Sequence, residues 1–497
     1  MKKIPLRKYL SLLLAVCLAL TLTLPAFADG ENAETPANYS VGGDQIPVPE
    51  LTAKSALLAD LETGQVYYAH NADQRAYPAS LTKIMTVLLA LEAVERGEVN
   101  LKDEVTAGDD CRLGLDEESS TAGIVPGETM TLENYLYCAM ISSANEACNV
   151  IASCVAGSIS AFIERMNQRA AELGCTGTHF TNTHGMPDPD HYTTAADLRI
   201  ITEAALQFPL FETMSNTLSY TVPATNQSDT RILQNTNGLI NPNSIVYPGY
   251  LYEGAAGIKT GHTNAAGYCL VSTAEKNTIR LLCIVLGSTA RDRADGTQEY
   301  QNFTDTIALY DWLYNNFSVQ TLLSEAEPLR DVAVEMGRDA DRVALHAQQD
   351  FNAVLPNNTE PENYEREIVV YSERDGRTLQ APVKAGDVLG EITISKDGQT
   401  LGTLPLVASV DVDLSQGAFL KQGLSRFFAS PVVLIALLVI FAVIVLYLIA
   451  YIRYQRRRRA RAAEMRRRRQ QEQALYEAER EAALRREFEG RNRTRRR

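Results

Sequence analysis

The 497-residue chain is acidic overall, with a formal net charge of -14, but its charge is distributed unevenly. The last 45 residues carry 18 basic and 7 acidic side chains, so the preceding part carries about -25. Such an acidic exterior excludes nucleic acid as the main partner. Seven cysteines follow the N-terminal apolar run, and their odd number and the lack of a Cys-x-x-Cys pair argue against a complete disulfide framework and against zinc.

The N-terminus has the pattern of a secretory signal peptide. Four basic residues precede an apolar run over residues 9–24, and Ala26 and Ala28 provide the small residues of a cleavage site. The pattern predicts a signal peptide over residues 1–28 and a mature chain that begins near Asp29. Residues 29–52 are polar, with glycine and proline, which predicts a flexible leader.

Residues 53–320 combine strand and helix patterns in the way that is typical of an α+β domain. Two hairpins are predicted, one over 55–69 and one over 266–287. Apolar residues at helical spacing predict a cluster of helices, which we expect to pack on an antiparallel sheet. The predicted helices span residues 81–93, 133–140, 144–155, 158–173, 193–206 and 298–317.

Downstream of this domain the pattern changes to short strands separated by turns. Residues 329–412 are therefore predicted to form a small all-β domain, followed by a juxtamembrane linker over 413–430. Residues 432–452 carry no charge and would span about 30 Å as a helix, which is the thickness of the hydrocarbon core of a bilayer. The sequence predicts a transmembrane helix over 431–452 and a basic tail over 453–497.

A positive flank directly follows the apolar run, with Arg453 and four arginines at 456–459. Because such flanks stay in the cytoplasm, we expect a single-pass protein of the cell membrane, with its folded domains outside and its tail inside. The arginines of the tail would fit anionic lipid or an unknown cytoplasmic partner. A solvated charged helix with a purely topological role explains them equally well.

Three short motifs occur in a fixed order in the folded part of the chain. A lone Ser-x-x-Lys is expected about once in a chain of this size, and Lys-Thr-Gly in roughly one chain in ten, so the combination is far more specific than its parts. The motifs are Ser-x-x-Lys at Ser80 and Lys83, Ser-x-Asn at Ser143 and Asn145, and Lys-Thr-Gly at Lys259, Thr260 and Gly261. Their order resembles that of an active-serine penicillin-binding enzyme.

These residue types suit nucleophilic catalysis, because a serine hydroxyl needs a neighbouring base to attack an amide. Residues three apart lie on one face of a helix, so Lys83 would lie beside Ser80, whose backbone N–H in the first turn could face an oxyanion. Lys83 must lose a proton to act as the base, which requires burial or a second positive charge such as Lys259. Ser143 could relay a proton, and the amide of Asn145 could hold the lysine and the substrate.

The segments 77–86, 142–145 and 257–263, which contain the motifs, resemble the D-alanyl-D-alanine carboxypeptidases. These are the low-molecular-mass penicillin-binding proteins of the active-serine, β-lactamase-like transpeptidase superfamily. The resemblance covers roughly residues 53–412, including a small β domain after the catalytic one. It implies a serine peptidase of peptidoglycan biosynthesis, with a role in the cell wall and cell shape. Such an enzyme removes the terminal D-alanine from stem peptides through an acyl-enzyme and is inhibited by β-lactams.

Carried onto this chain, the resemblance implies a role for each motif residue. Ser80 would be the nucleophile, Lys83 the base and Ser143 the proton relay, and the backbone N–H groups of Ser80 and His262 would form the oxyanion hole. Thr260 would hydrogen-bond the substrate carboxylate. Arg293 resembles a carboxylate-binding arginine, although an alanine follows it where an aromatic residue is usual. The implied substrate-binding residues are Asn145, Lys259, Thr260, Gly261, His262 and Arg293.

The chain departs from the family pattern in two further places. Glu146 stands where aspartate commonly follows the Ser-x-Asn motif, a difference of one methylene that should matter little if the group only supports the turn. The usual membrane attachment in the family resembles an amphipathic C-terminal helix, whereas here a spanning helix and a basic tail are predicted. The cytoplasmic side is therefore not assumed to lack a function.

A histidine- and aspartate-containing segment over residues 183–191 admits a second interpretation, as a metal site. Its proline and glycine residues favour a loop whose polar side chains cap turns, and the segment also resembles the carboxypeptidase loop before a helix. We therefore expect neither a metal nor a cofactor. The residues concerned are His184, Asp188, Asp190 and His191.

Two rival functions remain open at the level of sequence. A class A β-lactamase shares the three motifs, but no Glu-x-x-Leu-Asn segment occurs between the second and third. A membrane-bound sensor of β-lactams or muropeptides would stay acylated and signal through the arginine-rich tail. The tail favours this sensor, and the lack of a recognisable cytoplasmic effector domain argues against it.

Overall fold

A computed structural model describes residues 38–41, 44–117, 119–244, 246–396 and 398–493. The predicted signal peptide lies outside these residues. The chain forms two compact units. The first unit extends to Leu322 and also contains Phe351–Tyr364, and the second comprises Leu323–Asp350 and the chain from Glu365 onward.

The strands of both units are short to medium in length. In chain order they are β1 Asn38–Val41, β2 Asp44–Pro47, β3 Ser55–Asp60, β4 Val66–His70, β5 Glu104–Thr106, β6 Thr129–Thr131, β7 Ser219–Val222, β8 Arg231–Gln234, β9 Ala255–Thr263, β10 Gly267–Lys276, β11 Ile279–Ser288, β12 Ala290–Asp292, β13 Gln298–Tyr300, β14 Phe317–Leu323, β15 Arg330–Glu335, β16 Arg342–Ala347, β17 Phe351–Pro356, β18 Glu365–Val370, β19 Leu379–Gln380, β20 Val388–Lys396 and β21 Gln399–Ala408.

The α-helices begin with α1, which directly follows a 3-10 turn over Ala79–Leu81. Further 3-10 turns lie at Asp109–Arg112 and Pro361–Asn363. The helices are α1 Thr82–Glu95, α2 Leu132–Ile141, α3 Asn145–Ala156, α4 Ile159–Glu172, α5 Ala195–Leu206, α6 Pro209–Asn216, α7 Gln301–Asn316, α8 Tyr371–Arg374, α9 Gln416–Ala429 and α10 Pro431–Arg493.

A five-stranded antiparallel sheet, in the order β4-β3-β11-β10-β9, organises the first unit. Successive side chains of a strand point to opposite faces, so one apolar strand can serve two cores. Strand β11 contributes to two cores in this way. On one face, Leu282, Ile284 and Leu286 pack in the core that contains α1 to α6. On the other face, Leu281, Cys283 and Val285 pack in the core that contains α7. The predicted α+β class, with helices packed on an antiparallel sheet, is confirmed.

The segment before β3 differs from the predicted flexible leader. Strands β1 and β2 pair antiparallel, and three apolar side chains, Ile46, Val48 and Leu51, pack against the α7 core. The backbone N–H and the hydroxyl of Thr52 both donate to the Asp305 carboxylate, at 3.1 and 2.9 Å. Residues 44–52 are therefore held to the first unit by packing and hydrogen bonds, and the leader prediction does not apply to them.

Most predicted helices occur with ends shifted by a few residues, as is usual for helix termini. The last helix of the first unit is the largest exception. Residues 298–300 form the short strand β13, which pairs with β12, so α7 begins only at Gln301.

A six-stranded sheet, in the order β18-β20-β21-β16-β15-β19, forms the small all-β domain of the second unit. Residues 351–364, which the sequence assigned to this domain, belong instead to the first unit. Strand β17 pairs with β14, and the Tyr67 hydroxyl donates to the carbonyl of Val354 at 3.0 Å.

The C-terminal part of the second unit is helical. The predicted linker contains α9, and the next helix, α10, runs without a break through the predicted membrane span into the tail. Its apolar part has a mean hydropathy of 3.5 over 18 residues and is not buried by other parts of the described chain. Helix α10 is therefore long and apolar enough to cross a membrane.

Candidate active site

The first motif lies where the 3-10 turn Ala79–Leu81 passes into α1. Ser80 is partly exposed in that turn, and Lys83 follows one turn later with a relative exposure of 0%. The turn begins at Ala79, so the backbone N–H of Ser80 lies in the first turn and has no carbonyl acceptor within the helix. Helical spacing thus brings a buried amine beneath a hydroxyl that solvent can reach.

The Lys83 amine has three oxygen neighbours. Its Nζ lies 2.8 Å from Ser80 Oγ, 2.6 Å from Asn145 Oδ1 and 2.9 Å from the carbonyl oxygen of His184. Two of these neighbours, the amide oxygen and the carbonyl oxygen, can only accept hydrogen bonds. A neutral amine can donate to both of them and keep its lone pair for the Ser80 hydroxyl.

Burial lowers the pKa of Lys83 from 10.5 to about 8, because the charged ammonium loses its hydration. The negative charges of Cys148 and Glu146, where present, oppose this shift. The lowered pKa means that a substantial fraction of the amine is neutral in mildly alkaline solution. Burial is one of the two causes of a neutral Lys83 that the sequence led us to expect.

The second motif connects α2 to α3. Ser143 is buried and adopts a left-handed backbone conformation, with φ of 59°, and Asn145 is the first residue of α3. The Asn145 N–H donates to the carbonyl of Ser120 at 2.9 Å, so hydrogen bonds hold both the backbone and the side chain of Asn145. The turn thus delivers the Asn145 amide to Lys83.

Glu146, which follows the motif, is fully buried and anchors a neighbouring loop. Its Oε1 accepts hydrogen bonds from the Thr121 hydroxyl at 2.5 Å, from the N–H of Ala122 at 2.8 Å and from the N–H of Ile124 at 3.2 Å. Together with the Asn145 bond to Ser120, these contacts fix the loop over residues 120–124. The residue therefore supports more than its own turn.

The third motif lies in β9. Lys259 is buried, with a relative exposure of 1%, and its Nζ donates to the carbonyl of Thr260 at 3.1 Å. Burial, followed by the charge of Lys83, lowers the pKa of Lys259 well below its usual value. The Thr260 hydroxyl shares a hydrogen bond of 2.7 Å with the hydroxyl of Thr236.

Gly261 brings β9 against the turn that carries the serine. A Cβ added at Gly261 would lie 3.1 Å from the carbonyl oxygen of Pro78, 3.2 Å from the nitrogen of Ser80 and 3.3 Å from the Cβ of Ala79. A side chain here would force the serine turn to shift by a few tenths of an ångström, so glycine favours this close approach. A hydrogen bond joins the first motif to the second, and this close approach brings the third motif against the first.

A loop that the sequence did not assign to the site completes it. The carbonyl of His184 accepts from Lys83, and a Cβ added at Gly185, where φ is 99°, would lie 1.8 Å from the Ala79 carbonyl oxygen. Asn182 Oδ1 accepts from the Gly185 N–H at 2.6 Å and so holds this tight turn. The loop packs directly beneath Ser80.

His184 and His191, considered above as metal ligands, make other contacts. His191 Nε2 lies 2.8 Å from the Thr82 hydroxyl, and its Nδ1 accepts from the Thr181 N–H at 3.0 Å. Burial is the main cause that lowers the pKa of His184 to about 3 and that of His191 to about 4. Both rings are therefore neutral near pH 7. Among the residues described, no group of three histidine, cysteine or acidic side chains is placed to hold a metal.

The remaining two predicted substrate-binding residues are His262 and Arg293. The exposed His262 ring stacks on Tyr268 at 4.1 Å between ring centroids. The Arg293 guanidinium donates to Glu299 at 3.2 Å on the exposed β12–β13 hairpin, beside the Arg291–Glu299 ion pair at 2.6 Å. The structure thus does not join Arg293 to the three motifs.

Sequence reasoning missed four contributors to the site, which are Ser120, Thr121, the His184 carbonyl and Thr236. Two of them act through backbone carbonyls, which any residue type supplies, so no side-chain pattern could have identified them. Thr236 lies 24 residues before Thr260, and only the fold brings the two hydroxyls together.

Comparison with known proteins agrees with this geometry. Residues 43–290 match the family model described as D-alanyl-D-alanine carboxypeptidase, and residues 317–414 match the C-terminal domain of penicillin-binding protein 5. The two matches cover the five-stranded sheet, the helices α1 to α6 and the β domain, and leave out α7.

Curated relatives extend the similarity across most of the chain. The D-alanyl-D-alanine carboxypeptidase DacF of Bacillus subtilis is 29% identical over 411 residues, which is 82% of this chain and 95% of that protein. DacA of Escherichia coli K12, with the same description, is 30% identical over 411 residues, covering 82% of this chain and 92% of DacA.

Solved structures show the same architecture. Penicillin-binding protein 5 of Haemophilus influenzae is 28% identical, with a TM-score of 0.55, and the match covers 73% of this chain and 98% of that one. Penicillin-binding protein 6B of Escherichia coli is 26% identical, with a TM-score of 0.54, covering 76% of this chain and all of the other.

These findings do not favour the sensor or the β-lactamase as alternatives. The apolar C-terminal helix fits attachment to a membrane. The chain belongs to the D-alanyl-D-alanine carboxypeptidases, the low-molecular-mass penicillin-binding proteins, and is a serine-type peptidase of that family.

Proposed function

We propose that this chain removes the terminal D-alanine from peptidoglycan stem peptides by way of an acyl-enzyme on Ser80. The environment of Lys83 supports the assignment of Ser80 as the nucleophile and Lys83 as the base. Its Nζ lies 2.8 Å from the Ser80 hydroxyl and has two further acceptors for its N–H groups. In this arrangement a neutral amine would donate to the other two oxygens and direct its lone pair at the proton of the nucleophile.

In the acylation step, Ser80 Oγ forms a bond to the carbonyl carbon of the penultimate D-alanine while its proton moves to Lys83 Nζ. The negative charge on the carbonyl oxygen would be held by the N–H groups of Ser80 and His262. The C–N bond then breaks, and the departing amine of D-alanine takes a proton that originates on Lys83 and passes through Ser143. These roles of Ser143 and His262 remain predictions.

Deacylation repeats the sequence with water as the nucleophile. Lys83 would take a proton from water, the new oxygen–carbon bond would form, and the bond to Ser80 Oγ would break with return of the proton. A β-lactam would enter the same first step, but its amine leaving group stays attached, which makes it an inhibitor.

The substrate would lie along β9. Thr260, oriented by Thr236, would donate to the C-terminal carboxylate, and the positive charge of Lys259, when protonated, would favour the same group. Gly261 would leave room for the backbone of the stem peptide. Arg293 could bind the substrate carboxylate only if its ion pair with Glu299 breaks. The other predicted substrate-binding residues need no such change.

The orientation in the membrane forms part of the proposal. The arginines that follow the apolar part of α10 favour a cytoplasmic tail, so the first unit would face the peptidoglycan outside the membrane. A cleaved signal peptide over residues 1–28 would begin this export.

The function is tested with the full-length protein in detergent, supplied with a peptide that ends in D-Ala-D-Ala. We expect stoichiometric release of free D-alanine and no release by Ser80→Ala. Stable labelling by penicillin without turnover of the peptide would contradict a carboxypeptidase and favour a sensor. Fast hydrolysis of penicillin would favour a β-lactamase.

A further inference from the structure

The cationic part of α10 consists of two blocks of four consecutive arginines. The first, here called the proximal collar, is Arg456–Arg459, and the second, the distal collar, is Arg466–Arg469. A helix turns once in 3.6 residues, so four consecutive side chains point in all directions around its axis. Each block therefore forms a ring of positive charge around the helix.

A ring of charge indicates a particular shape of partner. A protein groove or a nucleic acid duplex would contact one face of a helix, and a helix adapted to it would carry a one-sided stripe. A membrane surrounds a spanning helix on every side, so the plane of lipid headgroups meets all four side chains of a ring at once. The collar geometry thus favours a headgroup layer.

The depth of the proximal collar matches that layer. The apolar run ends at Ile452, so Arg456–Arg459 lie about 6–11 Å further along the axis, from where their long side chains reach back toward the headgroups. The polar headgroup region extends about 5–7 Å beyond the hydrocarbon core on each side. The distal collar begins about 21 Å beyond Ile452, well outside the screening length of about 8 Å at physiological salt.

Protein carboxylates neutralise few of these charges. Over residues 453–469 the helix has ten arginines and one glutamate. Within the described chain, the one ion pair in this stretch joins Arg468 to Glu464 at 3.5 Å, and it belongs to the distal collar. The proximal arginines are exposed and make no ion pair with a described residue.

We propose that the proximal collar Arg456–Arg459 binds anionic phospholipid headgroups and gathers them around the membrane span, whereas the distal collar does not. The attraction is electrostatic, so it requires the charge of the side chain rather than the shape of the guanidinium. The inference depends on α10 spanning a membrane. It is independent of the reaction at Ser80 and of which side the tail faces.

The test uses the full-length protein in phosphatidylcholine vesicles that contain a trace of spin-labelled lipid. The motionally restricted fraction of spin-labelled phosphatidylglycerol, relative to spin-labelled phosphatidylcholine, gives the preference of the protein for anionic lipid. We expect the wild type to prefer phosphatidylglycerol by at least about fivefold, the factor expected from a single basic residue near the surface. High salt should reduce the preference.

Two variants with equal loss of charge separate the collars. Replacement of all four residues of Arg456–Arg459 by Gln should remove most of the preference, and the same replacement at Arg466–Arg469 should leave it nearly unchanged. Replacement of Arg456–Arg459 by Lys should retain it. The proposal is overturned if the wild type shows no preference, if both Gln variants lose it equally, or if the Lys variant loses it. An equal loss would instead indicate that the lipid headgroups respond to the total charge of the tail and not to the position of a collar.

Discussion

The buried lysines of the first unit and the exposed arginines of α10 are both cationic side chains, but they lie in opposite surroundings. Lys83 and Lys259 are removed from water, and burial lowers the pKa of each. The arginines of the collars are exposed, and the guanidinium acts as a fixed positive charge in proteins. The comparison teaches that residue type and burial together decide whether a basic side chain acts as a proton acceptor or as a fixed charge.

The strongest test of this contrast exchanges the two side-chain types at the active site. Lys83→Arg keeps a positive charge but cannot be deprotonated, so we expect acylation by penicillin to slow by about 10³-fold, within the range known for loss of a general base. Lys102→Arg, at an exposed lysine, is the matched control and should acylate at the wild-type rate. Acylation by Lys83→Arg within tenfold of wild type would disprove the base assignment.

A second test concerns the buried carboxylate beside the site. Glu146→Ala leaves two backbone N–H groups and the Thr121 hydroxyl without their acceptor, so the free energy of unfolding should fall by about 3 kcal/mol. Denaturant unfolding of the full-length protein in detergent measures this change. Glu146→Asp, which keeps the charge, should lose less. Equal stability of Glu146→Ala and wild type would contradict the anchoring role.

The tight turn beneath Ser80 offers a test of positioning. Gly185→Ala would place a Cβ 1.8 Å from the Ala79 carbonyl oxygen, so the serine turn must shift, and we expect kcat/KM to fall by about 10²-fold. The control is Gly157→Ala, which also has a positive φ but no atom within 4 Å of the added Cβ. That variant should lose some stability and keep its activity. Similar activity in both variants would show that the turn tolerates displacement.

The pH dependence tests the lowered pKa of Lys83 directly. Acylation needs the neutral amine, so the rate constant with penicillin should rise about tenfold per pH unit below about 8 and level off above it. Between about 8 and 10.5 the unfolded chain binds more protons at this lysine than the folded one. Its contribution to stability therefore increases with pH in that window. A rate that stays flat or falls as pH rises through 8 would contradict this account.

The smallest effect is expected in the tail. Replacement of Arg456–Arg459 by Gln should change D-alanine release in detergent by no more than about twofold, the effect typical of surface substitutions. Full-length wild type and variant are compared with the same D-Ala-D-Ala peptide. A large loss of activity would mean that the exposed charges contribute to catalysis and would remove the distinction between the two regions.

The sequence was sufficient for the class of fold and for the family, because both depend on local patterns. Alternating apolar residues predicted the β10–β11 hairpin, and helical spacing predicted that Lys83 lies beside Ser80. The contribution of the His184 carbonyl could not be predicted, since a backbone acceptor leaves no signature in side-chain type. Nor could the Thr236–Thr260 contact, which depends on how the chain between residues 216 and 255 folds back.

Two differences between sequence and structure have the same physical cause. Residues 44–52 were predicted as a leader and residues 351–364 as part of the small β domain, but both pack or pair with the first unit. Their short apolar stretches are too weak to predict an element in isolation, and tertiary contacts decide their conformation. Arg293 is a different case. Its residue type suggested that it binds the substrate carboxylate, but in the structure its guanidinium pairs with Glu299.

The central claim is that Ser80 is the nucleophile activated by Lys83. It is tested most directly by treating the full-length protein with penicillin, digesting it and locating the bound acyl group by mass spectrometry. The account predicts one adduct per chain, on Ser80, with none in Ser80→Ala and slow formation in Lys83→Arg. An adduct on another residue, or one that persists in Ser80→Ala, would contradict it.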